Sequence, residues 1–248
     1  DMEIDAKAKF SFYPFKDKSE DISLTARFNT SLKRPDFYSN NLYSNHYIWS
    51  NDFGKISKTK IEGELNIPKW KMSAFVGYAL VNNNIYYDTL GIIRQTPELV
   101  NVLSAYLQKN FKFWKIHLDN QVLFQMSSNQ ESLPLPMLAL HLRYYFQFDV
   151  VKNVMKVQIG ADGTFTTAYY APAYNPATGQ FQNQTSEKVG NCPYLDVFAN
   201  FQWKTATIFL KFTNANQGWP NSDYFSAYHY IKPKRAFKVG IFWPFFVK

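Results

Sequence analysis

Between Leu138 and Asp149 apolar and polar residues alternate at nearly every step. Leu138, Leu140, Leu142, Tyr144, Phe146 and Phe148 fall on one parity, and Ala139, His141, Arg143, Tyr145, Gln147 and Asp149 on the other. Successive side chains of a strand point to opposite faces, so this spacing predicts a strand with one greasy and one wet face. The scheme repeats over 155–165, where Met155, Val157, Ile159, Ala161 and Phe165 oppose Lys156, Gln158, Asp162 and Thr164. It repeats again over 115–126, where Ile116, Leu118, Val122, Phe124 and Met126 oppose His117, Asp119, Gln121 and Gln125. With further copies near 5–13, 22–31, 55–67, 70–81, 102–113, 194–204, 206–214 and 237–246, the pattern predicts about eleven strands.

The last of these carries more information than alternation alone. Phe237, Val239, Ile241, Trp243 and Phe245 share one parity, and Lys238, Gly240, Phe242, Pro244 and Phe246 the other. A polar residue, a glycine and two spaced aromatics, here Lys238, Gly240, Trp243 and Phe245, fit the C-terminal assembly signal of outer-membrane barrels.

The links between strands alternate in length. Tight turns fall at Pro68-Lys69, Trp114-Lys115, Val151-Lys152 and Lys204-Thr205, and longer connections at roughly 32–54, 82–101, 127–136, 167–193 and 215–235. Transmembrane barrels have short periplasmic turns and longer outer loops, so the tight turns mark a periplasmic end. Trp70, Trp114, Trp203 and Trp243 all lie at that end, where an aromatic girdle is expected, because indole is apolar yet its N–H seeks a partner at the interface. Carried back to the start, the same parity makes the 5–13 strand descend from outside to a turn at 14–21. A bacterial barrel has an even strand count and a periplasmic N-terminus. Residues 1–248 are therefore expected to be the C-terminal part of a single barrel domain, with at least one upstream strand missing.

Composition fits an all-β, antiparallel transmembrane barrel. The 248 residues are 46% hydrophobic and 19% aromatic, yet mean hydropathy is negative and no run approaches the ~20 apolar residues of a membrane helix. Strands that show lipid only alternate residues reconcile the two. The net charge of +8 comes from lysines dispersed singly along the strands, not from a basic run of the kind that binds nucleic acid. Cys192 is the one cysteine, which excludes an intrachain disulfide.

Several segments together resemble the putative porin family of Bacteroidetes outer membranes. They are Asn45-His46-Tyr47-Ile48-Trp49-Ser50-Asn51-Asp52-Phe53, Asn84-Ile85-Tyr86-Tyr87-Asp88 and Leu133-Pro134-Leu135-Pro136. Tyr169-Tyr170-Ala171-Pro172-Ala173-Tyr174-Asn175-Pro176 and the closing Gly240-Ile241-Phe242-Trp243-Pro244-Phe245-Phe246 belong with them. The resemblance runs over nearly the whole chain. It implies an outer-membrane barrel with a pore role, and it supplies no catalytic residues.

Selectivity in such a pore comes from lumen charges. The wet-face candidates are Lys58, Lys60, Lys71, His117, Asp119, His141, Arg143, Lys156, Asp162, Lys211 and Lys238. Lys7, Lys9, Arg27 and Lys115 join them, as do Glu62, Glu64, Asp149 and Asp196. Basic groups outnumber acidic ones, which predicts a mild anion preference in an open lumen; the alternative is cross-strand pairing that fills a closed interior. His117, Asp119 and His141 share the wet face, but Ser73 and Ser104 lack a nucleophile elbow, and no enzyme is expected. His46, His117, His141 and His229 show no zinc-like spacing, so neither a metal nor a cofactor is expected. The expected surroundings are outer-membrane lipid, lipopolysaccharide, the barrel assembly machinery acting through the last strand, and envelope proteins. A plugged barrel that anchors partners is the rival function, and a soluble β-sandwich the rival fold.

Overall fold

The computed structural model describes residues 1–14, 21–220 and 225–244. In chain order the elements begin with β1 (Met2–Phe12), β2 (Ile22–Lys33), the single helical turn α1 (Phe37–Asn40), β3 (Asn41–Tyr43), β4 (Ile48–Ser50), β5 (Ile56–Ile67) and β6 (Met72–Asn82). There follow β7 (Ile85–Tyr87), β8 (Ile93–Gln95), β9 (Val100–Phe113), β10 (Ile116–Ser127), β11 (Leu138–Val151) and β12 (Met155–Thr166). The chain then forms β13 (Ala173–Asn175), β14 (Gln180–Gln182), β15 (Tyr194–Trp203), β16 (Ala206–Thr213), β17 (Phe225–Ala227), β18 (Tyr230–Ile231) and β19 (Ala236–Phe242).

The long strands form one 11-stranded antiparallel sheet in the order β1-β2-β5-β6-β9-β10-β11-β12-β15-β16-β19, each hydrogen-bonded to its neighbours along the chain. The predicted strands are all present, most within two residues of their expected ends. β1 and β19 are not paired with each other, so the sheet is open. The last strand stops at Phe242, short of the expected 246. Pro244 has no N–H to give a ladder, and Phe245 and Phe246 lie outside the described residues, as does most of the 14–21 turn.

At one end the strands are joined tightly. Lys71, Trp114, Asn153 and Lys204 adopt φ of 46°, 53°, 61° and 51°. Tight hairpins favour such left-handed positions because they match the twist of the flanking strands. Lys71, expected on a strand, sits in this turn, because Pro68–Trp70 forms a short 3-10 turn before β6 begins. At the other end the long links carry four two-stranded hairpins, β3-β4, β7-β8, β13-β14 and β17-β18. Strands of two or three residues leave no readable alternation, and none of these was expected.

Candidate pore face and outer cap

Register places every strand-borne wet-face candidate on one side of the sheet. Arg143 is directly opposite Asp119 on β10 and Asp162 on β12, and Asp162 is opposite Asp196 on β15. Lys211 faces Phe198 on one side and Lys238 on the other. At the far edge Arg27 lies between Lys7 and Glu62, and Lys58 and Lys60 pair with Ser31 and Asn29. The opposite parity exposes Phe10, Phe28, Ile61, Val76, Leu107, Phe146, Ile159, Val197, Ile208 and Ile241.

The polar face holds both joined and free charges. Lys211 Nζ lies 2.8 Å from Asp196 Oδ2 and 3.5 Å from Asp162 Oδ2, and Arg143 Nε lies 3.6 Å from Asp162 Oδ1. The Asn214 backbone N–H donates to the other oxygen of Asp196 at 2.8 Å. The Arg143 guanidinium sits 4.7 Å from the Phe198 ring, a cation–π distance. Arg27 reaches Glu64 at 3.4 Å, and Lys60 reaches Glu62 at 3.8 Å. A chain of amides crosses the same face: Gln158 donates to Gln147 at 2.8 Å, and Asn200 donates to Gln158 at 3.2 Å. Lys7, Lys9, Lys58, Lys156 and Lys238 form no ion pair among the described residues. Cross-strand pairing is thus concentrated in two patches and leaves out these lysines together with Asp5, Asp119 and Asp149, of which Asp149 lies directly opposite Lys156.

The histidine cluster does not assemble. His117 stacks on Tyr145, with centroids 4.6 Å apart and planes 7° apart, whereas His141 contacts Gln121 at 3.4 Å. Arg143, not a histidine, is the residue opposite Asp119. His229 stacks on Tyr228 in the 215–235 link.

Trp70, Trp114, Trp203 and Trp243 are exposed at the tight-turn end. Trp114 packs edge-on against Phe146 at 5.9 Å, and Lys115, placed in the turn beside it, holds its ammonium 4.8 Å from the indole. Gly240 has a local reason to be glycine, since the Phe209 ring lies where a Cβ would project. Sequence reasoning missed a polar island on the apolar face. Tyr144 donates to Asn120 Oδ1 at 2.8 Å, Asn120 donates to the Lys109 carbonyl at 3.2 Å, and the Lys109 ammonium reaches the Trp70 carbonyl. The signal was the break in alternation at Asn120, between Leu118 and Val122.

The long links also form a site. Trp49 on β4 is buried against Tyr38, Tyr47 and Tyr87, with centroids 5.7, 6.1 and 6.3 Å away, and its indole N–H donates to the Tyr38 carbonyl at 2.9 Å. Burial, then Tyr38 and Asp36, pushes the Tyr87 phenol up to about 12. Asp36 caps α1 by accepting from Ser39, which holds its carboxyl below its ordinary range. Across loops, Tyr38 donates to the Thr178 carbonyl at 2.9 Å, Asn175 to the Tyr47 hydroxyl at 2.9 Å, and Gln182 to the Thr89 carbonyl at 3.2 Å. The first, second and fourth links are thereby joined in one cap.

A sheet with lipid-type residues on one face, a charged opposite face and aromatics ringing its tight-turn end is the wall of a transmembrane β-barrel. The chain belongs to the family described as "Putative porin", whose model matches residues 1–247. Among solved structures it is similar to the FrpB iron transporter from Neisseria meningitidis (F3-3 variant), with a TM-score of 0.57 and 12% identity. The match covers 96% of this chain and 38% of the transporter; at that identity it speaks for fold alone. No curated protein matches the chain.

Proposed function

We propose that this chain forms part of the wall of a porin-like channel in the bacterial outer membrane that passes small solutes by passive diffusion with a mild preference for anions. The family and the barrel likeness support a non-enzymatic channel. The observation that carries the selectivity is that the polar-face lysines without an ion pair among the described residues, Lys7, Lys9, Lys58, Lys156 and Lys238, outnumber the acids without one, Asp5, Asp119 and Asp149, the other acids being largely held by Arg27, Lys60, Arg143 and Lys211. An uncompensated positive field concentrates anions in a narrow lumen, and salt screens it. In lipid the backbone groups of an open edge have no partners, so the channel reading requires further strands between β19 and β1. Lipid and lipopolysaccharide then surround the apolar face, and the segment containing Lys238, Gly240, Trp243 and Phe245 engages the assembly machinery.

The loop-to-loop bonds of the cap favour a second reading, a closed barrel that anchors envelope partners. Conductance in planar bilayers separates the two. The complete protein is expected to give stepwise currents whose reversal potential in a salt gradient shifts towards anions, with the shift reduced in Lys156→Glu. Absence of current where a control porin conducts favours the closed barrel.

A further inference from the structure

The β7-β8 hairpin, the 128–137 link and the 167–193 link enclose a cavity of about 640 Å³ whose walls include Tyr86, Arg94, Glu131, Pro134, Tyr170 and Asn183. That size falls within the range of small-molecule sites, roughly 300–1,000 Å³. Three segments that carry the family resemblance, those containing Tyr86, Pro134 and Tyr170, meet there although they are far apart in sequence. The pore reading makes no use of this cavity.

Its walls are fixed. Asp88 accepts from the Leu90 and Ile92 backbone N–H groups at 2.9 and 3.0 Å and from Arg94 Nε at 2.9 Å. The Asn183 backbone N–H donates to the Tyr87 carbonyl at 2.9 Å, and its side-chain amide donates to the Glu131 carbonyl. These bonds tie the three loops together and aim Arg94. The terminal guanidinium nitrogens of Arg94, the Glu131 carboxylate and the Tyr86 and Tyr170 hydroxyls have no hydrogen-bond partner among the described residues. Arg94, Glu131 and Tyr170 face water, so these donors and acceptors, held in place by the loop bonds, are open to a ligand rich in hydroxyls.

Charge and shape narrow the class. Asp88 neutralises Arg94, and the Lys188 ammonium, 5.2 Å from the Tyr170 ring, offsets Glu131, so the cavity has no net charge to favour phosphate or acidic sugars. Burial, then Glu131 and Asp88, holds the Tyr86 phenol above its ordinary range, so it stays a neutral donor. No Leu, Ile, Val or Met lines the cavity, so an apolar ligand or hydrophobic peptide finds no pocket for its side chains. Flat apolar surface from Tyr86, Pro134 and the side of the Tyr170 ring away from Lys188 suits the C–H faces of a pyranose ring, while planar Arg94 and Glu131 suit vicinal hydroxyls. We infer that this outer-loop cleft is a binding site for a neutral oligosaccharide.

The test is calorimetric titration of the purified complete protein in detergent with maltotriose, xylotriose, mannotriose and chitotriose, with triglycine and inorganic phosphate as contrasts. Saturable binding of at least one trisaccharide is expected, weakened tenfold or more by Tyr170→Ala and separately by Arg94→Gln, neither contrast compound binding. Arg94 and Tyr170 stand on different loops, so a folding defect at one leaves the other informative. Absence of trisaccharide binding overturns the assignment, as does binding indifferent to both substitutions or preference for triglycine or phosphate. No membrane is involved, so the result does not depend on whether the channel conducts.

Discussion

In the sheet, Ile241, Phe237 and Val239 leave 69%, 64% and 59% of their surface exposed, whereas in the links beyond it Ile93, Ala171 and Cys192 keep 3%, 2% and 4%. The sheet turns most of the apolar side chains of one face outward and buries few, Val100 and Val157 among them, whereas the links bury a small apolar cluster of their own. The sheet needs no apolar core of its own, because hydrocarbon takes that role on one face and charge pairs with amides occupy the other. The cap stands in water and must bury aromatic surface like a small globular unit, with Trp49 at its centre. Two solvents have shaped one chain, and the change falls where the strands end and the long links begin.

That contrast is broken most sharply at Trp49. Trp49→Ala removes a buried ring and the hydrogen bond to Tyr38, a change worth about 3–5 kcal/mol in a packed core. Protease cleavage within 167–193 is expected to rise steeply while the sheet keeps its heat-modifiable gel mobility; joint loss of both would make cap and sheet a single cooperative unit. Next in size is Leu140→Arg, which places a charge on the lipid face at a cost of about 2–4 kcal/mol near the midplane. Gln147→Arg, on the other parity of the same strand, should assemble normally, and equal tolerance of both would overturn the two-face assignment.

The smallest effect is alkaline. The Tyr87 phenol is raised from 10.0 to about 12. A raised folded value means that its contribution to the cap is complete below pH 10 and is lost as pH climbs towards 12. Phenolate absorbance and loop protease sensitivity should therefore rise together in that window, while β11 remains protected from hydrogen exchange.

The sheet was readable because a period of two is repeated in every long strand and a slip of one residue would put lysines in lipid. β11 and β12 came out almost residue for residue, since Leu138 to Phe148 never break step on the apolar side. Which charges pair was not readable: that Lys211 bridges Asp162 and Asp196 follows from a register between strands separated by the long 167–193 link. Lys71 was misplaced because Trp70-Lys71-Met72 continues the alternation of β6 while the backbone has already turned. Asn120 and Lys109 show the limit of a binary pattern, which records a polar residue on the apolar face as an interruption and cannot see Tyr144 and the Trp70 carbonyl completing its bonds. The cap was the least legible region, because the strands of its hairpins are three residues long and its bonds, such as Asn175 to Tyr47, join residues of distant links.

The most direct test of a wall with lipid on one side and water on the other is a nitroxide scan along β11 in a Cys192→Ser background. One spin label at a time is placed from 138 to 149 in the complete protein reconstituted in bilayers, and collision with oxygen is compared with collision with a water-soluble nickel chelate. Oxygen access should peak at 138, 140, 142, 144, 146 and 148, and nickel access at the residues between. A profile without a two-residue period, or one with the parities exchanged, would contradict the assignment of the two faces.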